Sequence, residues 1–128
     1  MRTTEPIRAR WRLTVAHAFA HGAPMETLSR LEATIAQRRS ASPDSSYVAK
    51  LNEKGVPAIA QKLGEEATEA VIAALSGSRD DLTGEAADVL FHLLVLLAAK
   101  DVSLADVLAE LDRREGTSGI AEKASRQG

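Results

Sequence analysis

The sequence predicts an all-α fold, an antiparallel helical bundle completed by homodimerisation, and three observations point that way. Hydrophobic residues make up 45% of the 128 positions, yet aromatics only 3%. Ala and Leu therefore supply most of the apolar mass, and both lose little side-chain freedom in a helix. Apolar residues recur at helical spacing between recognisable stop signals. Residues 89–97, Val89-Leu90-Phe91-His92-Leu93-Leu94-Val95-Leu96-Leu97, are apolar nearly all round, the mark of a helix covered on every side. A single domain of this length has few helices with which to cover it, so a second copy is expected to complete the bundle.

Residues 1–24 carry Arg2, Arg8, Arg10 and Arg12 against Glu5 alone. That composition resembles an organellar transit peptide, but the plainer reading is an N-terminal extension, disordered or ahead of a true start at Met25. The functional domain is expected over residues 25–128. Leu28, Leu31 and Ile35 place one apolar stripe on a first helix, with Arg38 and Arg39 at its negative end. Ser40-Ala41-Ser42-Pro43-Asp44-Ser45-Ser46 is a polar connector rich in potential N-caps. Residues 47–54 fit two helical turns ended by Gly55, and Pro57 suits the first turn of the next helix.

That next helix should run to about Leu75, burying Ile59, Leu63, Ala67, Ala70, Val71 and Ala74, and Gly77 should close it. Asp80 and Asp81 offer caps for a helix over 82–99. Ser103-Leu104-Ala105-Asp106 resembles a capping-box start, and Leu104, Val107, Leu108 and Leu111 give a last amphipathic helix. Beyond Gly116 the chain reads as a flexible polar tail.

Composition also narrows function. There is no Cys, so disulfides, thiolate metal sites and cysteine nucleophiles are excluded. A net charge of −2 gives no reason to expect nucleic-acid binding. No uninterrupted apolar stretch approaches the ~18 residues of a membrane span, and a cytoplasmic protein is expected.

The informative residues are acids on the two best helices. Glu65-Glu66-Ala67-Thr68-Glu69 lies on one and Glu85-Ala86-Ala87-Asp88 on the other. Acids three apart share a helix face and weaken the helix by a few tenths of a kcal/mol, so helix stability does not explain them. If the two helices pack antiparallel, the carboxylates converge. Two carboxylates ~4 Å apart repel by about 4 kcal/mol at an effective dielectric of about 20. Protonation, a buried Lys or Arg, or a divalent cation would relieve this. Oxygen-only donors select a hard ion, Mg²⁺ or Mn²⁺, which keeps positions open for water and phosphate. Against this stands the common use of i, i+3 acid pairs simply to solvate an exposed face.

Lys62-Leu63-Gly64-Glu65-Glu66-Ala67-Thr68-Glu69-Ala70, followed by residues 85–97, resembles the EExxE…ExxD pattern of the all-α NTP pyrophosphohydrolases, the MazG-like group. Three further stretches, residues 46–51, 54–62 and 118–126, are similar to the phosphoribosyl-ATP pyrophosphohydrolase family of histidine biosynthesis. The resemblance covers residues 25–126 and leaves 1–24 without a counterpart. It implies hydrolysis of phosphoribosyl-ATP to phosphoribosyl-AMP and pyrophosphate by a helical homodimer with carboxylate-bound Mg²⁺. By position it implies Glu66, Glu69, Glu85 and Asp88 as metal ligands. Glu65 is then a ligand, a supporting group or the base that takes a proton from water, and the last of these is preferred.

A polyphosphate also needs cations from the protein. Lys50, Lys54 and Lys62 lead into the acidic helix, while Lys123 and Arg126 lie on the tail, which could close over substrate as a lid. Ordinary surface cations are the plain alternative, with Lys62 pairing with Glu66. His92, four residues after Asp88, is either a ligand, a partner of a carboxylate or, as is commoner for a single His in an apolar run, a core residue with satisfied ring nitrogens. Two other functions fit part of the pattern. A house-cleaning NTP or dNTP pyrophosphatase would share the acids and differ in its base pocket. A non-catalytic helical interaction module would bind no metal.

Overall fold

The computed structural model describes residues 24–115 together with Lys123 and Arg126. The expected extension, apart from Pro24, and the remainder of the expected polar tail lie outside the described residues. Lys123 and Arg126 have helical backbone and are exposed.

The described residues form five helices and no strand: α1 (Pro24–Arg38), α2 (Tyr47–Lys54), α3 (Val56–Ser76), α4 (Arg79–Ala99) and α5 (Leu104–Arg114). The stripe expected on α1 packs inward, with Leu31 and Ile35 buried and Leu28 against them. Ser46 caps α2 by accepting from the Ala49 N–H at 3.2 Å. Gly55 ends α2 and opens α3 with φ +92°, a value that L side chains rarely adopt. Pro57 lies in the first turn of α3, where no N–H is needed.

One boundary differs from expectation. α4 begins at Arg79, and its N-cap is Ser78 rather than Asp80 or Asp81. Ser78 Oγ accepts from the Asp81 N–H while Asp81 accepts from the Ser78 N–H, a closed capping box that stops fraying three residues earlier. Gly77 is required by this tight junction. A Cβ there would stand 2.9 Å from the Ala73 carbonyl oxygen and 3.1 Å from Asp81 Oδ2.

α4 is the central element, packing along α3 and against α1. The core joins Leu31 and Ile35 of α1, Val48 and Leu51 of α2, Ile59 of α3, Phe91, Leu94 and Val95 of α4, and Leu104 of α5. By length and composition alone α4 is apolar enough to cross a membrane, yet it buries Glu85, Asp88 and His92 inside the molecule. Arg39 clamps three elements, donating to the Ala98 carbonyl at 2.9 Å and to Asn52 Oδ1 at 3.3 Å. Glu32 of α1 accepts from the Leu104 N–H at 2.6 Å, satisfying an open donor at the start of α5.

The buried stripe of α3 differs from the expected one. On α3 the buried residues are Ile59, Glu66 and Ala73, whereas Val71 is 58% exposed and Ala74 is also exposed. The face of α3 turned to this chain therefore repeats every two turns through Glu66, and the richer apolar face points away. This chain alone does not cover α4 all round, for Leu90 remains 45% exposed. On α5, Leu104 is buried while Leu108 and Leu111 are exposed.

Candidate functional site

α3 and α4 pack against each other and are joined by a junction of two residues, Gly77 and Ser78. Glu66 lies about three turns before it, and Glu85 and Asp88 about two to three turns after. All three are buried, at 3%, 6% and 1% exposure, and each offers an oxygen within 4.8 Å of the others. The convergence read from the spacing is thus present for three of the four expected ligands. Glu69, one turn beyond Glu66, is exposed and stands at the margin of this trio.

Such a site resists ionisation. Burial first, then the charge and hydrogen bonding of Glu69 and the charge of Asp88, push the Glu66 carboxyl from 4.5 up to about 7, although Lys62 pulls the other way. Lys62 Nζ is 3.6 Å from Glu66 Oε1 and 3.2 Å from Glu65 Oε2, so one cation is shared between two carboxylates. Glu66 Oε2 is sealed from solvent with no hydrogen-bond partner. A buried oxygen in that state is costly unless protonated or bound by a cation. Three clustered carboxylates with no sulfur or nitrogen among the donors fit a hard divalent ion such as Mg²⁺ or Mn²⁺.

Two cavities flank the trio. One, of about 340 Å³, is lined by Tyr47, Lys50, Leu51, Lys54, Ala58, Gln61, Lys62 and Glu65. Lys50, Lys54 and Lys62, three of the five cations expected to meet phosphate, thus line one cavity. Glu65 faces this cavity rather than joining the trio, held by Gln61 Nε2 and Lys62 Nζ, each at 3.2 Å. The other cavity, of about 250 Å³, opens onto Glu69 and Glu85 and is walled by Ile72, Ala73, Ser76, Gly77 and Asp81. Lys123 and Arg126 are exposed, and the residues between them lie outside those described.

His92 takes the plainest of the roles open to it. Fully buried, it places Nδ1 2.7 Å from the Asp88 carbonyl oxygen and Nε2 3.0 Å from the Tyr47 hydroxyl. Burial and the nearby Lys62 charge lower its basicity, opposed by the Asp88 carbonyl and the surrounding carboxylates. Tyr47 was not singled out from the sequence. The available signal was the chain's one Tyr standing directly behind a capping Ser.

A family model described as phosphoribosyl-ATP pyrophosphohydrolase matches residues 28–115. The chain is 72% identical over 101 residues to the phosphoribosyl-ATP pyrophosphatase of Novosphingobium aromaticivorans, covering 79% of this chain and 94% of that one. It is 71% identical over 102 residues to the same-named protein of Erythrobacter litoralis, covering 80% and 98%. To that of Dinoroseobacter shibae it is 67% identical over 102 residues, covering 80% and 100%.

Proposed function

This chain belongs to the phosphoribosyl-ATP pyrophosphohydrolase family, and from that premise we propose how its residues serve the reaction. It hydrolyses phosphoribosyl-ATP to phosphoribosyl-AMP and pyrophosphate, a step of histidine biosynthesis. One water is consumed and the anhydride between the α- and β-phosphates is broken.

The observation that carries the mechanistic reading is the buried trio of Glu66, Glu85 and Asp88 beside a cavity walled by Lys50, Lys54 and Lys62. The trio, with Glu69 at its margin, holds Mg²⁺, or Mn²⁺ in its place. When bound, the ion supplies positive charge for phosphate oxygens and acidifies water. Lys50, Lys54 and Lys62 place the polyphosphate by charge, with Lys123 and Arg126 adding cations from the tail. Glu65, outside the trio and facing the cavity, takes the proton of the attacking water. The shape of this arrangement favours positioning and charge compensation over covalent catalysis, as phosphoryl chemistry requires.

The working molecule is a homodimer with α3 and α4 antiparallel. In a single chain Val71, Ile72, Leu75, Leu82 and Leu90 are all exposed, Leu75 to 83%. A second copy seated on that face would remove this apolar surface from water. The enzyme works in the cytoplasm without membrane or nucleic-acid partners. Residues 1–24 precede the region matched by the family model and take no part in this reading.

The test is pyrophosphate release from phosphoribosyl-ATP, ATP and dNTPs, each with Mg²⁺ and with EDTA. Turnover of phosphoribosyl-ATP that EDTA abolishes is the expected result. Equal turnover of ordinary nucleotides would transfer the assignment to a house-cleaning pyrophosphatase, and turnover unaffected by EDTA would remove the metal.

A further inference from the structure

The wall of the lysine cavity and the carboxylate trio are joined by a short chain of polar contacts that the reaction itself does not call for. Tyr47 is the first residue of α2, directly after the buried N-cap Ser46, and it lines the lysine cavity. Its ring stacks on Phe91 with centroids 6.1 Å apart and planes at 28°, and meets His92 edge-on at 5.8 Å. Phe91 and His92 are themselves perpendicular at 5.1 Å. Three rings packed this way leave little freedom to any one of them.

The polar atoms follow the packing. The Tyr47 hydroxyl is 3.0 Å from His92 Nε2, and His92 Nδ1 is 2.7 Å from the Asp88 carbonyl oxygen. A carbonyl only accepts, so Nδ1 must carry a proton and donate it. In the neutral ring Nε2 is then the acceptor, and the Tyr47 hydroxyl donates to it. His92 and Phe91 are 0% and 1% exposed, so the bond from His92 Nδ1 to the Asp88 carbonyl is closed to water.

We propose that Tyr47 and His92 are positioning residues, a hydrogen-bonded strut that ties the lysine cavity wall to Asp88 and keeps its carboxylate level with Glu66 and Glu85. The strut rests on the metal reading given above. Its far end grips the backbone of a trio residue one turn away, and its near end is anchored by a capped helix from another part of the chain. A donor set whose supporting groups are fixed binds its ion without first having to order them. If the rings merely fill the core, their polar atoms are irrelevant to the ion. If they form a strut, losing one hydroxyl changes metal affinity and leaves packing almost intact.

The experiment uses the full chain and Mn²⁺ alone, with the free ion followed by electron paramagnetic resonance, and no turnover is measured. Tyr47→Phe keeps the ring stack and removes the hydroxyl that donates to His92, and is expected to weaken Mn²⁺ binding about tenfold while the thermal midpoint falls by only a few degrees, the cost of a buried Nε2 left without its donor. His92→Asn can still donate from the Nδ1 position to Asp88, whereas His92→Gln mimics Nε2 and loses that bond. Asn should therefore retain Mn²⁺ better than Gln, an ordering that simple core filling would not produce. Nitrogen-15 spectra of wild-type protein should show His92 neutral with its proton on Nδ1. Wild-type affinity in Tyr47→Phe, or a proton on Nε2, would overturn the strut while leaving the metal reading intact. A wild-type chain that binds no Mn²⁺ would overturn both.

Discussion

Lys62 holds its ammonium 3.6 Å from a Glu66 oxygen one turn along α3, yet the Glu66 carboxyl is still pushed up to about 7. Attraction from one cation that also serves Glu65 is outweighed by burial and by the neighbouring carboxylates. The site is electrostatically incomplete as a set of protein groups, and that imbalance governs how the protein should respond to pH, substitution and metal.

Glu66 makes the metal-free protein pH-sensitive with a definite sign. Its folded-state value lies above the 4.5 of the unfolded chain, so between about 4.5 and 7 the unfolded state releases a proton that the folded state retains. Stability from this group is therefore fully present below about 4.5 and is lost as pH rises through 7. Denaturant unfolding of EDTA-treated protein from pH 4.5 to 8 should show that decline superimposed on other titrations. Glu66→Gln should flatten it, and an unchanged slope in that variant would assign the decline elsewhere.

The same imbalance separates stability from activity. Asp88→Asn and Glu85→Gln each remove a charge from a cluster whose members repel, while retaining side-chain volume. Each metal-free variant should melt at least as high as wild type, and turnover should fall by roughly 10²-fold or more if the ion is lost. Paired melting curves and pyrophosphate release would check this. A variant that is both less stable and fully active would contradict the placement of these carboxylates in the metal centre.

Much of this arrangement was readable, and the parts that were not have identifiable physical reasons. The stripe of Leu28, Leu31 and Ile35 was clear because α1 turns one apolar face to the core. α3 has two apolar faces, and periodicity does not say which meets this chain. Glu66 accordingly looked like a neighbour of the buried stripe when it occupies the stripe itself. The acids were legible because like charges at helical spacing need a reason, and the family resemblance supplied the same positions. Ser78 was overlooked beside the more conspicuous Asp80 and Asp81, although Asp81 acts as its partner across the capping box. Tyr47, Arg39 and Glu32 act across long sequence separations, as in the Glu32 to Leu104 bond, and no local pattern announces them.

The exposed face of α3 offers a test of assembly. Leu75 is 83% exposed, with Val71 and Ile72 exposed beside it. Leu75→Glu should leave the monomer's own core untouched, because the side chain contributes little to it, and should place a charge within the dimer contact. The expected result is a shift from dimer to monomer in light scattering at micromolar concentration, with the helical circular dichroism retained. A dimer of unchanged affinity would show that the second copy sits elsewhere.

Gly64 gives the last prediction, because its two consequences have opposite signs. It lies inside α3, where glycine costs about 1 kcal/mol relative to alanine. A Cβ placed there would meet nothing within 4 Å, so packing within the chain does not demand glycine. Gly64→Ala should therefore raise stability by about 0.5–1 kcal/mol, a few degrees in thermal midpoint for a domain of this size. The residue lies in the helix between Lys62 and Glu65, both of which line the lysine cavity. If phosphoribosyl-ATP lies against this stretch of helix, the added methyl occupies space that substrate uses, and KM should rise several-fold in the more stable protein. Higher stability with unchanged KM would move the substrate away from α3 at this level, toward the wall formed by Tyr47, Lys50 and Lys54.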